Sequence, residues 1–387
     1  MSEYQYYEFA AIDRPLSQAE MAELRAVSSR AQISPSGFVN HYEWGDLKAD
    51  PADWMRRHFD AFVYTACWCS CRLALRVPLE VFRRAELEAF VVRHVLDFDK
   101  TSAHWIIHWS LYESEDYDRF GMDDGNGWMQ RLLPLRDELL RGDLRPLYLG
   151  WLAGAGELPE DEAEPEVPAG LSTLSPAQQA LAEFLEIDPD MLTAAAAGSV
   201  PGRPAAAGDA EGDDARFDAW LQTWPREAML DVLKRLAQGR GQEAERHVRG
   251  HHAAWLKAQR LPADPGARRR SVAELRELAE SLSSVRQERE ARQRAEEEAA
   301  RRREREEDLR RLMAEADQRW EAIDAQARRG TALGYEYAVR ALTDLAEAYT
   351  LTSTPKEFER ALRRFLVPHA KRGALLRRLT AAGLWSG

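Results

Sequence analysis

The sequence predicts an α+β N-terminal domain with one mixed or antiparallel sheet, followed by a mainly α-helical half with a long charged helix and a C-terminal helical hairpin. In the first 155 residues, aromatic-rich segments typical of strands alternate with segments of helical apolar spacing. Such an order of short strands and helices is typical of an α+β sandwich. In contrast, residues 286–308 contain no glycine or proline and consist mostly of Ala, Glu, Arg and Gln, which favour a helix.

The N-terminal domain begins with a predicted strand over 4–12, because aromatic side chains favour extended backbone. Ser17 followed by Glu20 has the spacing of a capping box and predicts the start of a helix. Pro51 after Asp50 predicts a second helix start, because proline suits the first helical position. Apolar spacing predicts the remaining elements, which are strands at 33–44, 62–67, 72–77 and 103–112, a helix at 79–90 and a helical stretch at 128–152 that is interrupted near residues 141–143.

Composition divides the rest of the chain. A run rich in acidic residues and proline predicts an exposed linker after the first domain, and a run of Ala, Gly and Pro predicts a second linker. Capping signals and apolar stripes predict helices between and after these linkers. The predicted parts are an α+β domain (1–155), an acidic linker (156–174), a short helical segment (175–197), an Ala/Gly/Pro linker (198–213), a helical cluster (214–262), a long charged helix (267–328) and a C-terminal helical hairpin module (329–387).

The long charged helix has heptad-like apolar spacing at both of its ends. Residues 286–308, here called the charged segment, have no apolar side chain larger than alanine. Glu→Arg pairs at i,i+4 each stabilise an exposed helix by roughly 0.2–0.5 kcal/mol. Six such pairs occur, namely Glu288–Arg292, Glu290–Arg294, Glu297–Arg301, Glu298–Arg302, Glu306–Arg310 and Glu307–Arg311. The sequence therefore predicts one continuous, mostly exposed helix, with a weak coiled coil as the alternative.

The C-terminal module is predicted to begin with a turn, because Gly330 and Gly334 follow the long helix. Thr354 followed by Glu357 has the spacing of another capping box. Apolar residues at helical spacing follow it and recur in a last short helix. Together with the end of the long helix, these segments predict an antiparallel helical hairpin.

Charge and cysteine content exclude some classes of protein. The 387 residues have a formal net charge of −12, which disfavours nucleic acid binding by the whole chain. Residues 267–387 alone are net positive, but acidic residues interleave with their arginines and argue against a continuous phosphate-binding stripe.

No apolar run approaches about 18 residues, so no membrane span is expected. All three cysteines lie within five residues, which favours a reduced cytoplasmic protein over a disulfide framework.

One Cys/His constellation is conceivable as a metal site. Cys67, Cys69 and Cys71 alternate in a predicted strand and its turn, which places all three on one face. His104 and His108 share a face of another predicted strand. However, structural zinc sites normally take a second cysteine or histidine pair at a distance, and buried cysteine is common without a metal. The sequence therefore predicts no metal and no cofactor, and these five residues remain the metal candidates.

Two further patterns resemble ligand sites. Glu243, His247 and His251 fall one helical turn apart and present three possible ligands on one helix face, although a solvated polar face has the same pattern. The segment 123–127 contains two aspartates, but its Asp-Gly and Asn-Gly dipeptides are typical of turns. The sequence lacks the phosphate-loop, dinucleotide, nucleophile-elbow and kinase motifs, which disfavours the enzymes that depend on them.

Segments near both ends resemble an uncharacterised family of bacterial proteins. The first includes the sequence EYQYYEF at 3–9 and IDRPL at 12–16, and the second includes FERAL at 358–362 and LLRRL at 375–379. The resemblance covers about the first 110 and the last 60 residues. It implies a bacterial protein and attaches no activity or catalytic residue to it.

The organisation of the chain predicts a non-enzymatic interaction or scaffold protein. Its N-terminal domain would bind a protein partner, and its charged helix would act as a spacer. The sequence does not decide whether the protein self-associates through residues 267–328. The alternative is an enzyme or a metal- or ligand-binding regulator with a site in the N-terminal domain. That site would gather His58, Asp97, Asp99, His104, His108 and the cysteine cluster.

Overall fold

The protein is described here from a computed structural model. The structure describes residues 4–43, 45–112, 125–200, 210–258, 269–352 and 355–385. Asp123, Asp124, Thr354 and most of the predicted Ala/Gly/Pro linker lie outside the described residues. The chain divides into two compact units, 1–284 and 285–387, called the N-terminal and C-terminal units below.

The N-terminal unit contains one seven-stranded sheet in the order β2-β3-β1-β4-β5-β7-β6. Every pair of neighbouring strands is antiparallel, which confirms the predicted sheet and fixes its type. The strands are β1 (Gln5–Ala10), β2 (Gln32–Ser34), β3 (Gly37–Tyr42), β4 (Ala61–Ala66), β5 (Cys71–Pro78), β6 (Leu96–Lys100) and β7 (His104–Leu111).

Helices α1 (Gln18–Val27) and α2 (Pro51–Arg57) cover one face of the sheet. The predicted capping box is present, because the Ser17 side chain accepts from the Glu20 N–H and the Glu20 carboxylate accepts from the Ser17 N–H. Helix α2 begins at Pro51 as predicted, and the Asp50 side chain before it accepts from the Ala52 N–H. The core on this face is aromatic and includes Phe9, Phe38, Trp54, Phe59 and Phe62.

The opposite face packs against a helical layer and forms the largest core. Trp105, Ile107 and Trp109 of β7 point to this side and are nearly inaccessible to solvent. The helices after the first two are α3 (Arg84–Glu88), α4 (Trp128–Leu132), α5 (Pro134–Leu140), α6 (Arg145–Gly154), α7 (Pro176–Phe184), α8 (Pro189–Ala197), α9 (Ala210–Thr223), α10 (Arg226–Ala237) and α11 (Gly241–Ala258). Helices α7 and α8 lie in the segment between the two predicted linkers, and their apolar residues belong to the same core as the sheet.

Three local predictions differ from the structure. The predicted strand over 33–44 is instead the antiparallel β2–β3 hairpin. The predicted helix over 79–90 is instead a 3-10 turn at Leu79–Val81 followed by the short α3. The indole N–H of Trp105 donates to the carbonyls of Leu79 and Phe82, so these carbonyls are satisfied without an α-helix. Strand β6 was missed, because its sequence, LDFDK, has charged residues at three of five positions.

The acidic stretch 156–174 contacts the start of the next long helix. Glu164 is buried, and its carboxylate accepts two bonds from Arg270, at 2.7 and 2.8 Å. Ala163 and Ser271 form an isolated antiparallel bridge. Although it has the composition of a linker, this stretch is therefore attached to the N-terminal unit by specific bonds.

The long charged helix is α12 (Val272–Ala314), followed by α13 (Ala316–Arg328). The charged segment is one continuous helix with mostly exposed side chains, and four of the six predicted Glu→Arg pairs lie within 4 Å. The prediction of one helix to residue 328 was wrong at Glu315. There the backbone leaves helical geometry (φ −107°, ψ 17°), and its N–H bonds three residues back, to Leu312.

The C-terminal unit continues with α14 (Ala332–Thr352), α15 (Pro355–His369) and α16 (Gly373–Ala381). Helices α13 and α14 are antiparallel and joined by a short turn at Gly330, which has φ +70°. Gly334 lies inside α14, where an added Cβ would be 2.6 Å from the carbonyl oxygen of Gln326 on α13. The predicted hairpin is therefore present as the α13–α14 pair, and α15 and α16 pack against α14.

Candidate functional site

A cavity of about 420 Å³ lies in the N-terminal unit between one end of the sheet and helices α10 and α11. Its size is within the range of small-molecule sites. It brings together two patterns that the sequence analysis treated separately, His104 and the Glu243–His247–His251 helix face. The lining residues are Asp13, Arg14, Arg76, Pro78, Glu80, Ala103, His104, Arg235, Glu243, His247, Gly250 and His251.

The sheet side of the cavity is held by a buried network of charged groups around Asp60. One carboxylate oxygen of Asp60 accepts from Nε and Nη2 of Arg76, at 3.1 and 2.7 Å. The other accepts from the backbone N–H groups of Ile12 and Asp13, at 2.7 and 2.8 Å. Asp60 is only 1% exposed, so these bonds replace water around its charge.

Arg136 of α5 completes this network. Its Nη2 donates to Asp13 at 2.8 Å, and its Nε donates to the carbonyl of Arg76 at 2.7 Å. Burial raises the pKa of Asp60, but the charges of Arg76 and Arg136 and the backbone N–H bonds outweigh it. The pKa of Asp60 therefore lies below its ordinary value, and the carboxylate is ionised at neutral pH.

The helix side of the cavity comes from α10 and α11. Glu243, His247 and His251 share one face of α11 as predicted, and all three line the cavity. The two histidine rings lie 4.5 Å apart between centroids. Arg235 of α10 donates to Glu243 at 3.1 Å, which fixes the acidic end of this face.

Burial lowers the pKa of His104, and the positive charge of Arg76 lowers it further. Burial also lowers the pKa of His247, with contributions from His251 and Arg235. Both rings are therefore neutral at pH 7, and each can donate one hydrogen bond and accept another. The cavity thus offers neutral imidazoles beside paired charges, which suits a small polar ligand.

His108 and its neighbours form a separate cluster on the β6–β7 pair. Asp97 is opposite His108 in the register, and Asp99 lies 3.6 Å from the His108 ring. Arg56 donates to Asp99 at 2.9 Å. His108 and, to a smaller extent, Arg56 lower the pKa of Asp99 to about 2. This cluster is partly exposed, and His108 does not line the cavity that contains His104.

His58 lies apart from the other candidates, at the C-terminal end of α2. It is buried, and its two ring nitrogens lie 3.5 Å from Glu20 and 3.8 Å from Glu23 of α1. The structure therefore does not gather His58 with His104 and His108.

The prediction that all three cysteines share one strand face was wrong. Cys67 and Cys69 lie in the tight β4–β5 turn, where Cys69 has φ +63°, and only Cys71 belongs to a strand. The Cys71 thiol donates to the carbonyl of Phe184 on the helical layer. His104 and His108 point to the opposite face of the sheet, because they alternate with Trp105, Ile107 and Trp109. The five metal candidates therefore do not converge.

Within the described parts of the chain, no three His, Cys, Asp or Glu side chains lie close enough to hold a metal ion. Among the same residues, no helix is both long and apolar enough to cross a membrane.

Sequence reasoning missed Arg76, which lines the cavity, and Asp60 and Arg136, which bond to Arg76 behind the cavity wall. One signal was present: Arg76 interrupts the apolar run of β5, so a buried partner for it could have been inferred. The partner itself, Asp60, belongs to the segment before β4, and nothing local in the sequence pairs the two.

Comparison of this chain with models of protein families, with curated proteins and with solved structures finds no match.

Proposed function

We propose that this protein is a non-enzymatic scaffold in which the N-terminal unit binds a protein partner and the charged segment acts as a spacer. One observation supports this proposal above all: the charged segment is a continuous helix whose side chains are mostly exposed. At 1.5 Å per residue, its 23 residues extend over about 35 Å.

The charged segment holds its helical form without burying apolar surface. Its apolar residues are only alanines, and most of its ion pairs lie along its own surface at i,i+4. The exception is Arg305, near its end, which pairs with Asp344 and Glu347 of α14. A helix of this kind is typical of segments that set a length rather than form a core. Apolar cores of the described residues lie on both sides of it in the sequence, two in the N-terminal unit and one in the C-terminal unit.

Affinity capture from a lysate of the source organism tests the scaffold. We expect residues 1–284 to recover one set of partners and residues 285–387 to recover a second set. The full chain should recover both sets. The two sets should occur in one complex only with the full chain. A full chain lacking residues 292–298 is the matched variant with a shorter charged segment. Seven residues are close to two helical turns, so their removal shortens the helix but nearly preserves the helical phase of the residues that follow. If residues 1–284 recover every partner, the scaffold proposal is wrong.

A second candidate function rests on the cavity that contains His104, His247 and His251. Their convergence favours a small-ligand-binding regulator or an enzyme. Denaturing the purified protein and analysing the released small molecules by mass spectrometry tests it. We expect one compound in stoichiometric amount, absent from a His104→Ala variant and retained by His94→Asn, which changes an exposed histidine outside the cavity. If no compound is released, or if both variants retain it equally, this candidate is wrong.

A further inference from the structure

The C-terminal unit contains an open groove between α13 and α15, with a volume of about 680 Å³. We call it the C-terminal groove. Its floor includes the rings of Trp320 and Phe365, whose centroids are 5.9 Å apart. Phe365 is 7% exposed and Trp320 is half-buried, so the floor is apolar and recessed.

Helices α13 and α15 run in the same direction. Trp320 of α13 packs against Phe358 and Phe365, and further along both helices the His369 ring lies 2.7 Å from Asp324. Helix α14 runs antiparallel to α13, so the three helices have an up-down-up order. Helix α16 packs on α14 instead, where Arg378 donates to the carbonyl of Ala332. The groove thus has the position that an additional antiparallel helix takes in a four-helix bundle.

The two rims of the groove have opposite net charge, because Asp317, Glu321 and Asp324 outnumber Arg328 on α13, and Arg360 and Arg364 outnumber Glu357 on α15. Asp317 and Glu321, one turn apart on α13, are here called the acidic rim, and Arg360 and Arg364, one turn apart on α15, the basic rim. All four side chains are exposed. In the described part of the C-terminal unit, none of the four forms an ion pair within 4 Å, so the rims do not neutralise each other across the groove.

We propose that the C-terminal groove binds an amphipathic helix of a partner protein. This inference rests on the scaffold proposal and specifies the chemistry of one partner. Apolar side chains at i, i+3, i+4 and i+7 would pack on Trp320 and Phe365. One flank of the helix would be acidic and lie along Arg360 and Arg364. The other flank would be basic and lie along Asp317 and Glu321.

The charge pattern favours this occupant over the alternatives. A nucleic acid would bring phosphates against the acidic rim along the whole groove. A lipid surface cannot reach a floor that is recessed between two charged rims. A second copy of this chain could offer its charged segment, but that segment has no apolar side chain larger than alanine to fill the aromatic floor.

Three designed helical peptides with the same leucine stripe test the proposal on the full chain. One has a glutamate flank and a lysine flank, the second has glutamate on both flanks, and the third has lysine on both. We expect fluorescence anisotropy to show about tenfold tighter binding of the mixed peptide than of either other peptide, because each of the latter places like charges against one rim. A mixed peptide with serine in place of leucine should not bind.

Charge reversal at one rim provides the decisive variant. With Arg360→Glu and Arg364→Glu together, both rims are acidic, and the all-lysine peptide should become the tightest ligand. Arg363→Glu is the matched control, because Arg363 is exposed on α15 but does not line the groove, and it should leave the order of affinities unchanged. Circular dichroism of each variant verifies that the helices are retained.

Several outcomes would overturn the inference. These are equal binding of the three peptides, tightest binding of the all-glutamate peptide, or displacement of the mixed peptide by an oligonucleotide. A concentration-dependent dimer that dissociates on reversal of the basic rim would assign the groove to a second copy instead. None of these results would alter the two sets of partners expected in affinity capture, so the scaffold proposal is tested separately.

Discussion

Replacing Asp60 with alanine is expected to lower the free energy of unfolding of the N-terminal unit by about 3–5 kcal/mol, because it leaves buried arginine charges without their partner. Arg136 is 3% exposed and Arg76 is 8% exposed, so water cannot replace the lost carboxylate. The backbone N–H groups of Ile12 and Asp13 would also lose their acceptor. Urea unfolding of the full chain, followed by tryptophan fluorescence, measures the effect.

The pH dependence of the same carboxylate has a definite sign. The pKa of Asp60 is lower in the folded protein than in the unfolded chain, where it is about 3.9. Its contribution to stability is therefore complete above pH 4 to 5 and is lost as the pH falls through the folded pKa. Asp60→Ala should remove this part of the acid sensitivity. Asp99→Ala is the control, since Asp99 is 41% exposed and its ion pairs should contribute less than about 1 kcal/mol. Equal effects of the two substitutions would contradict the role of the buried network.

Ending the chain after residue 266 is expected to destabilise the N-terminal unit by about 4 kcal/mol relative to ending it after residue 284. Val272 and Leu275, at the start of α12, are fully buried in the core of this unit. Burying each such side chain contributes roughly 1.5–3 kcal/mol. The shorter chain would also lose Arg270 and leave the buried Glu164 without its ion pair. Urea unfolding of residues 1–266 and 1–284 compares the two directly.

Residues 1–284 with Leu275→Ala provide a third variant for this comparison. The substitution removes one buried side chain and retains Arg270, so the stability of this variant should lie between those of residues 1–266 and residues 1–284. If residues 1–266 and 1–284 unfold at the same urea concentration, the first turns of α12 do not contribute to the N-terminal core. The predicted boundary of the long helix at residue 267 would then be a better limit for the unit than residue 284.

The features that the sequence predicted correctly depend on local chemistry. The capping box at Ser17 and Glu20 needs only two residues three positions apart, and the charged segment needs only helix propensity and pairs one turn apart. The paired strands β4 and β5 are joined by a four-residue turn, so their pairing is nearly local as well. For these elements, residues close in sequence determine the structure.

The features that the sequence analysis missed depend on contacts between distant segments. The 3-10 turn found in place of a predicted helix is bonded by the Trp105 indole N–H. Trp105 lies beside Leu79 because β5 pairs with β7. The helix face with His247 was predicted, but its approach to His104 depends on how α11 packs near the sheet. Strand order and helix packing are set by the whole core, which no short pattern specifies.

The charged segment also has a consequence for how this protein can change over evolutionary time. Apart from Arg305, which pairs with Asp344 and Glu347 of α14, its residues are constrained by helix propensity and by the balance of acidic and basic side chains, and neither depends on the identity of any one position. Exchanging one exposed Glu, Arg, Gln or Ala for another should cost no more than about 0.5 kcal/mol. Two copies of this gene that separated long ago could therefore differ at nearly every position of the segment while encoding the same helix.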